Sequence, residues 1–181
     1  MEKFGVGSGY ALFTVDSTGV TSATVLNSSV SSNDLRYDKG RVYLTDGAVL
    51  DANTGVQLGA FYINSQQQAS GPVAPDSTVG RAYLLYSSNA SSTRQINAYD
   101  LKTFVLKGSD PIGEVSTGYS STPAALVRWG SDGLAYIDTN SFAESGQLYI
   151  LHSKLVRDLP NSLRTFLLVP RLLPRPSPAP R

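Results

Sequence analysis

Few side chains in this 181-residue sequence could carry out chemistry, because it contains one histidine and no cysteine. The histidine, His152, needs partner side chains to act as a general base or a metal ligand, and no motif near it supplies them. The lack of cysteine excludes disulfides and thiolate metal sites, and with a single histidine it argues against a zinc site. We expect His152 to end a strand at the surface, and the sequence indicates no catalytic, cofactor-binding or metal-binding residue.

Three aspartates recur in one local pattern and are a second candidate for chemistry. Asp16, Asp51 and Asp100 each end an apolar run and precede a threonine by two or three residues. One interpretation is a set of carboxylates for Ca²⁺, which needs several oxygens converging at about 2.3–2.6 Å. The other is turn chemistry, because Asp and Thr side chains hydrogen-bond backbone amides in tight turns. The sequence favours turns, and we expect no tightly bound metal.

Two arginines precede aromatic residues at matching places in the sequence. They are Arg36 before Tyr37 and Arg128 before Trp129. Such arginines could line a channel and bind an anion, but more often they anchor neighbouring sheets through hydrogen bonds, which is the interpretation we favour. From the shared pattern we predict that Tyr37 and Trp129 hold equivalent, at least partly buried positions in their strands.

The composition and charge of the chain narrow its fold and its partners. Ser, Thr, Gly, Val and Tyr are frequent while Lys and Glu are few, which suits turns and pleated strands and indicates an all-β chain. The formal net charge is +1, but the arginines that follow residue 163 have no acid among them, so the preceding part is net negative. We therefore expect no nucleic-acid partner. We also expect no membrane span, because no apolar run reaches roughly 18 residues.

Imperfect internal repeats are the strongest structural signal in the sequence. Residues 35–44 and 127–137 share an aliphatic residue, an Arg, an aromatic residue, a polar turn with Gly and an alternating apolar strand. Residues 80–86 repeat the last part of this pattern. Arg41 and Arg81 are 40 residues apart, and Gly80 and Gly133 are 53 apart. These spacings indicate four-stranded propeller blades, which repeat at about 40–50 residues.

The strand pattern within the repeats predicts the architecture. If the four strands of one unit are named a, b, c and d, the chain runs c-d, a-b-c-d, a-b-c-d and a-b-c, from residues 10–16 to residues 147–152. Period-two alternation with frequent turns is typical of sandwiches and propellers, and a four-stranded repeat favours the propeller. We therefore predict a partial β-propeller of about three four-stranded antiparallel blades in residues 1–154. Residues 155–181 are rich in Pro, Arg and Leu, and we expect them to form a disordered tail.

The repeat motifs also resemble a known family. The "D-x-x-T-G" hairpin and the "R-W-G-x-D-G-L-A-Y" strand resemble the YVTN/PQQ-like (WD40-like) β-propeller repeats of bacterial extracytoplasmic proteins, over roughly residues 10–152. The resemblance implies the fold, an extracytoplasmic location and a C-terminal fragment of such a protein. PQQ-binding dehydrogenases usually carry a Trp after the "T-G" turn, whereas residues 56–61 have none and the single tryptophan, Trp129, lies in strand a. We therefore expect no quinone cofactor.

These observations predict a non-catalytic binding or structural module of a periplasmic, cell-surface or secreted bacterial protein. Propellers usually bind partners on the loops at the ends of their blades. Residues 64–77, 87–94 and 109–122 are therefore the candidate contact surfaces for a protein or glycan ligand. The alternative is a fragment of a propeller enzyme of the lactonase or quinoprotein dehydrogenase type, and the sequence leaves enzymatic activity open.

An arc of three blades is predicted to be an incomplete ring. Most propellers close with about four to eight blades. An open arc exposes strand edges near residues 10–15 and 147–152, and exposed edges recruit other chains. We therefore expect self-association through the open blade edges.

Overall fold

The described part of the chain consists of β-strands joined by turns and loops. The computed structural model describes residues 10–27, 32, 34–87, 93–114, 121–140 and 145–156, and these residues contain thirteen strands and no helix. The strands are β1 (Tyr10–Asp16), β2 (Gly19–Asn27), β3 (Leu35–Asp38), β4 (Arg41–Leu44), β5 (Ala48–Asp51), β6 (Gln57–Ala60), β7 (Val73–Asp76), β8 (Arg81–Ser87), β9 (Thr93–Asp100), β10 (Leu106–Glu114), β11 (Ser121–Trp129), β12 (Gly133–Asn140) and β13 (Ser145–His152). The predicted all-β class is confirmed.

The strands form four separate antiparallel sheets in chain order. We call them the N-terminal hairpin (β1–β2), blade 1 (β3–β6), blade 2 (β7–β10) and blade 3 (β11–β13). Within each sheet, every strand pairs with its neighbour along the chain, so every sheet is a meander. The predicted order c-d, a-b-c-d, a-b-c-d and a-b-c is therefore confirmed.

The blades are stacked face to face, with their first strands side by side. Strand β7 contacts β3 and β4 of blade 1 and also β11 of blade 3. Because side chains alternate along a strand, each face of blade 2 supplies an apolar row to a different neighbour. Tyr99 and Leu84 pack in the core between blades 1 and 2, whereas Tyr83 and Leu85 pack in the core between blades 2 and 3. This arrangement is a partial β-propeller, as predicted.

The prediction that Tyr37 and Trp129 are equivalent is wrong. Each strand b follows a residue whose carbonyl accepts a hydrogen bond from the turn after strand c, and these residues are Gly40, Gly80 and Asp132. Tyr37 pairs with the second residue after Gly40, whereas Trp129 pairs with the first residue after Asp132. The two aromatic residues are therefore one position apart and point to opposite faces of their sheets.

The predicted burial of these two aromatic side chains is also wrong, since Tyr37 is 67% exposed and Trp129 is 53% exposed. The turn lengths explain the error in alignment. Two residues separate β3 from β4, but three residues separate β11 from β12, so matching the "Arg-aromatic" pairs shifts the register by one.

All three predicted contact loops are shorter than expected. Strand β7 occupies the end of the predicted loop 64–77, which leaves residues 61–72 as the connection between β6 and β7. Strand β7 accommodates Pro75 because it is the outermost strand of its sheet, where a proline costs no ladder bond. Strands β8 and β9 likewise take both ends of the predicted loop 87–94, and β10 and β11 take both ends of the predicted loop 109–122. Residues 88–92 and 115–120 lie outside the described residues.

Folded structure continues beyond the end of β13. Leu155 and Val156 are buried in the core between blades 2 and 3. The Ser153 hydroxyl donates to Asp110 Oδ2 of blade 2 at 2.6 Å, and Lys154 Nζ lies 3.2 Å from Asp110 Oδ1. The packed part of the chain therefore includes residues 153–156, and the remainder of the predicted tail, residues 157–181, lies outside the described residues. No helix in the described residues has the length and hydrophobicity of a membrane-spanning helix.

Candidate ligand-binding surface

The connection between β6 and β7, residues 61–72, is held in place by backbone hydrogen bonds at its base. The Phe61 amide donates to the Gly47 carbonyl at 2.9 Å, and the Ala69 amide donates to the Phe61 carbonyl at 2.8 Å. The Gly71 amide donates to the Thr45 carbonyl at 2.8 Å. Both ends of the connection are therefore fixed to the β4–β5 turn of blade 1.

Two glycines make this base possible. Gly47 has a φ of 87°, and a Cβ on it would lie 2.4 Å from the Ala69 carbonyl oxygen. Gly71 has a φ of 139°, and a Cβ there would lie 2.1 Å from the Leu85 carbonyl oxygen. Both positions combine a left-handed backbone with a close backbone approach, which only glycine allows.

An aromatic side chain anchors the base from inside. Phe61 is fully buried, and its ring stacks on Tyr99 of blade 2 with centroids 4.6 Å apart. The Tyr43 and Phe104 rings lie 6.4 Å and 6.0 Å from it, so one ring joins the loop to both blades. Burying a Phe side chain contributes about 1.5–3 kcal/mol, which opposes detachment of the loop.

The tip of the connection is ordered by its own polar contacts. Asn64 Oδ1 accepts from the amides of Gln66 and Gln67, at 3.0 and 2.9 Å. The Ile63 amide donates to the Gln67 carbonyl at 2.9 Å, and Tyr62 forms an antiparallel bridge with Gln68. The tip is thus a short turn with defined side-chain positions.

The exposed residues of this tip form a neutral, polar surface that reaches blade 2. Gln67 Nε2 donates to the Tyr86 hydroxyl at 3.3 Å. We call this surface the Gln-Tyr surface, and it consists of Tyr62, Gln66, Gln67, Gln68 and Tyr86. Residues 61–72 contain no charged residue, so the surface offers carboxamide and phenol groups only. These groups both donate and accept hydrogen bonds.

The aspartates predicted to form turns do form them. In each case one carboxylate oxygen accepts from both the amide and the hydroxyl of the following threonine; the pairs are Asp16–Thr18, Asp51–Thr54 and Asp100–Thr103. These hydrogen bonds hold the pKa of all three carboxyls below the usual value. Asp76 makes the same contact with Thr78, a fourth copy that the repeat pattern did not reveal. No group of three or more potential metal ligands occurs in the part of the chain that the structure describes.

The two arginines selected from the sequence have different roles. Arg128 Nε donates to Asp76 Oδ2 at 2.6 Å, and its guanidinium lies 5.7 Å from the centroid of the Tyr83 ring, so it joins blade 3 to blade 2. Arg36 instead pairs with Asp34 in its own blade, with both side chains partly exposed. The anchoring role is therefore confirmed for Arg128 only. His152 lies exposed at the end of β13, as predicted, with Nδ1 3.3 Å from Asp132 Oδ1.

Sequence reasoning missed a joint that recurs at both blade boundaries. Arg41 Nη1 donates to the Leu101 carbonyl of blade 2 at 2.5 Å, and Arg81 Nη1 donates to the Leu155 carbonyl beside blade 3. Both arginines begin strand b of their blade. Their 40-residue spacing was visible in the sequence, but nothing there showed that they reach into the next blade.

The same joint has an apolar half. Phe104 packs against Gly59 on strand d of blade 1, where an added Cβ would lie 2.4 Å from the ring. Leu155 packs against Gly108 on strand d of blade 2, where an added Cβ would lie 2.9 Å from the side chain. A glycine on strand d therefore admits an apolar side chain of the following blade at each boundary.

A buried ion pair between blades 2 and 3 was also missed. Arg94 of β9 pairs with Asp138 of β12, and their side chains are 4% and 0% exposed. Tyr136 stacks on Tyr149 beside this pair, with centroids 4.7 Å apart. Burial raises the pKa of Tyr136 far above its usual value, and that of Tyr99 to about 12. Two charged residues within apolar strands were the only signal in the sequence.

Comparison with known proteins finds no matching family model and no curated protein with significant similarity. The resemblance to YVTN/PQQ-like repeats thus stays a prediction from the motifs. The blade architecture rests on the sheets described above.

Proposed function

We propose that this chain is a non-catalytic binding module of an extracytoplasmic bacterial propeller protein, and that the Gln-Tyr surface binds its ligand. The observation that carries the proposal is the presentation of exposed carboxamide and phenol groups on a tip that is held by hydrogen bonds to the Ile63, Gln66 and Gln67 amides. A preorganised surface loses little conformational entropy when a ligand binds. Loops on a rigid scaffold are the usual location of binding residues.

We propose a neutral glycan as the ligand. Sugar hydroxyls both donate and accept hydrogen bonds, and the carboxamides of Gln66, Gln67 and Gln68 match both roles. The exposed ring of Tyr62 offers an amphipathic face on which the C–H side of a sugar can lie, and the half-buried Tyr86 contributes its hydroxyl at the edge of the surface. The lack of charge in residues 61–72 favours a neutral ligand over an acidic or basic one.

The test is binding of the purified chain to an array of neutral oligosaccharides, followed by titration calorimetry with any sugar retained. The variant Tyr62→Ala/Gln67→Ala/Gln68→Ala should lose at least tenfold in affinity, which corresponds to about 1.4 kcal/mol. The control Tyr37→Ala/Gln57→Ala removes exposed residues of the same types on β3 and β6 and should bind like the unmodified chain. Failure to retain any neutral sugar, or equal binding by the two variants, would contradict the proposal.

The alternative inferred from the sequence, a fragment of a lactonase or quinoprotein dehydrogenase, makes a different prediction. The same preparation would hydrolyse lactones, or it would show the absorption band of a bound quinone. Lactone hydrolysis or a quinone band that disappears in a folded variant of this chain would show that the protein is an enzyme and would contradict the proposed binding module.

A further inference from the structure

Blade 3 has an apolar face turned away from blade 2. Side chains that point toward blade 2 include Leu134 and Tyr136, so those on the alternate positions point outward. The large apolar side chains of this outward face are 42–58% exposed, and they are Val127, Trp129, Ile137, Leu148 and Ile150. The cross-strand register places Ile137 opposite Leu148 and Ala135 opposite both Val127 and Ile150, so they form one continuous patch.

The repeat shows what covers such a face. In blade 2, Leu85 pairs with Ile96 and Tyr83 pairs with Ala98, at the positions that Ile137, Leu148, Ala135 and Ile150 hold in blade 3. All four blade 2 side chains are at most 1% exposed, because blade 3 packs on them. We therefore expect the blade 3 face to be covered by another sheet of this repeat, through the face that such a sheet turns toward the blade before it.

The N-terminal hairpin carries a face of the complementary kind. Tyr10 turns toward blade 1, where its hydroxyl donates to the Asp51 carbonyl at 3.2 Å. The alternate residues Phe13 and Val15 therefore point away from blade 1. They lie with Val20 and Val25 on one side of the hairpin, and these four side chains are 56–70% exposed. The other side carries mainly hydroxyl groups.

This hairpin face corresponds to the face that a blade turns toward the blade before it. Asp16 at the end of β1 makes the same turn contact as Asp100 at the end of β9, so β1 corresponds to β9 in the repeat. Val15 therefore corresponds to Tyr99. Tyr99 packs on the preceding blade in the core between blades 1 and 2. The hairpin thus exposes the surface by which a sheet of this repeat covers the blade before it.

We propose that copies of this chain associate head to tail, with the hairpin of one copy covering the outward face of blade 3 of the next. The contact would reproduce the packing between consecutive blades. Within their strands the two faces carry no Lys, Arg, Asp or Glu side chain except Asp16 at the hairpin end, and His152 at the end of the blade 3 face lies beside Asp132. No like-charge repulsion therefore opposes the contact. Trp129 lies in the patch and suits an interface anchor. Head-to-tail contacts between identical copies close into rings or continue as filaments.

The test measures the mass of the chain by size-exclusion chromatography with light scattering and by sedimentation velocity. The unmodified chain should have at least twice its monomer mass of 19.3 kDa. Protein concentration is raised to about 100 μM, at which an interface with a micromolar dissociation constant is saturated. Val15→Glu and Ile150→Glu each place a negative charge on one face, and each should yield a monomer. Val56→Glu, at an exposed valine off both faces, should associate like the unmodified chain.

Mixing the two variants tests the head-to-tail geometry. Each keeps one intact face, so an equimolar mixture should form a 1:1 heterodimer and nothing larger. Circular dichroism and urea unfolding of each variant check that it is folded, as expected at exposed positions. A monomeric unmodified chain, association retained in Val15→Glu, or a mixture without heterodimer would each overturn the proposal.

Discussion

The buried pair of Arg94 and Asp138 allows a sharp prediction about what holds blades 2 and 3 together. Replacing Asp138 by Ala removes the carboxylate from an arginine whose side chain is only 4% exposed. The guanidinium then has to stay charged in an apolar environment or move to water, which opens the joint between the blades.

The burial of the pair sets the magnitude. Breaking a buried ion pair on one side costs about 3–5 kcal/mol, whereas an exposed pair contributes about 0–1 kcal/mol. Asp138 Oδ1 is buried and has no hydrogen-bond partner among the described residues, so the pair is incompletely satisfied. Arg94→Met/Asp138→Val should therefore be close to the unmodified chain in stability, because it removes both charges and approximately keeps the combined volume.

The assay is urea unfolding monitored by circular dichroism. The free energy of unfolding is taken from the midpoint urea concentration with one m-value for all variants. Protein concentration is held fixed, since association changes apparent stability. The matched control is Arg36→Ala, which breaks the exposed pair with Asp34. A loss below about 1 kcal/mol for Asp138→Ala, or a double variant as unstable as the single one, would refute the reasoning.

Three further predictions follow from the joints, the turns and the buried tyrosines. Gly59→Ala forces a Cβ to within 2.4 Å of the Phe104 ring and should cost about 1–3 kcal/mol in urea unfolding, whereas Gly146→Ala, with its nearest neighbour atom at 3.7 Å, should be near neutral. The lowered pKa of Asp51 means that its turn stabilises the fold above pH about 4 and loses this effect as pH falls through the folded pKa. An NMR titration that gives Asp51 an ordinary pKa would contradict this. Tyr99, with a pKa of about 12, keeps its proton in the folded state while the unfolded chain loses it above pH about 10, so stability should fall between these values, and less steeply in Tyr99→Phe.

The order of the strands could be predicted from the sequence because local signals carry it. Alternating apolar residues mark the strands, and the recurring Asp-Thr turn marks the hairpin between strands c and d of three successive sheets. Both signals lie within a few residues along the chain, so no tertiary information was needed.

The register could not be predicted, because it depends on the length of each turn. One extra residue between β11 and β12 moved Trp129 to the opposite face from Tyr37. A match of residue types does not detect such a slip, since the side-chain period of a strand is two.

The contacts across blades were equally hidden. Arg41 meets the carbonyl of Leu101, sixty residues later, and the candidate surface depends on Gln67 meeting Tyr86. The sequence placed Gln67 in a contact loop, residues 64–77, but nothing in the local pattern indicated that its side chain would bond to blade 2.

The repeated joint has a consequence for how the molecule comes apart. Each arginine and each strand-d glycine connects its blade only to the following one, as in a chain of nearest-neighbour couplings. Blade 2 has a joint on both sides, whereas blade 3 has one among the described residues. Loss of blade 3 therefore breaks one coupling, while loss of blade 2 breaks two. Amide hydrogens of β8 and β9 should consequently exchange most slowly, and opening should begin in the sheets at the two ends of the described arc and spread inward.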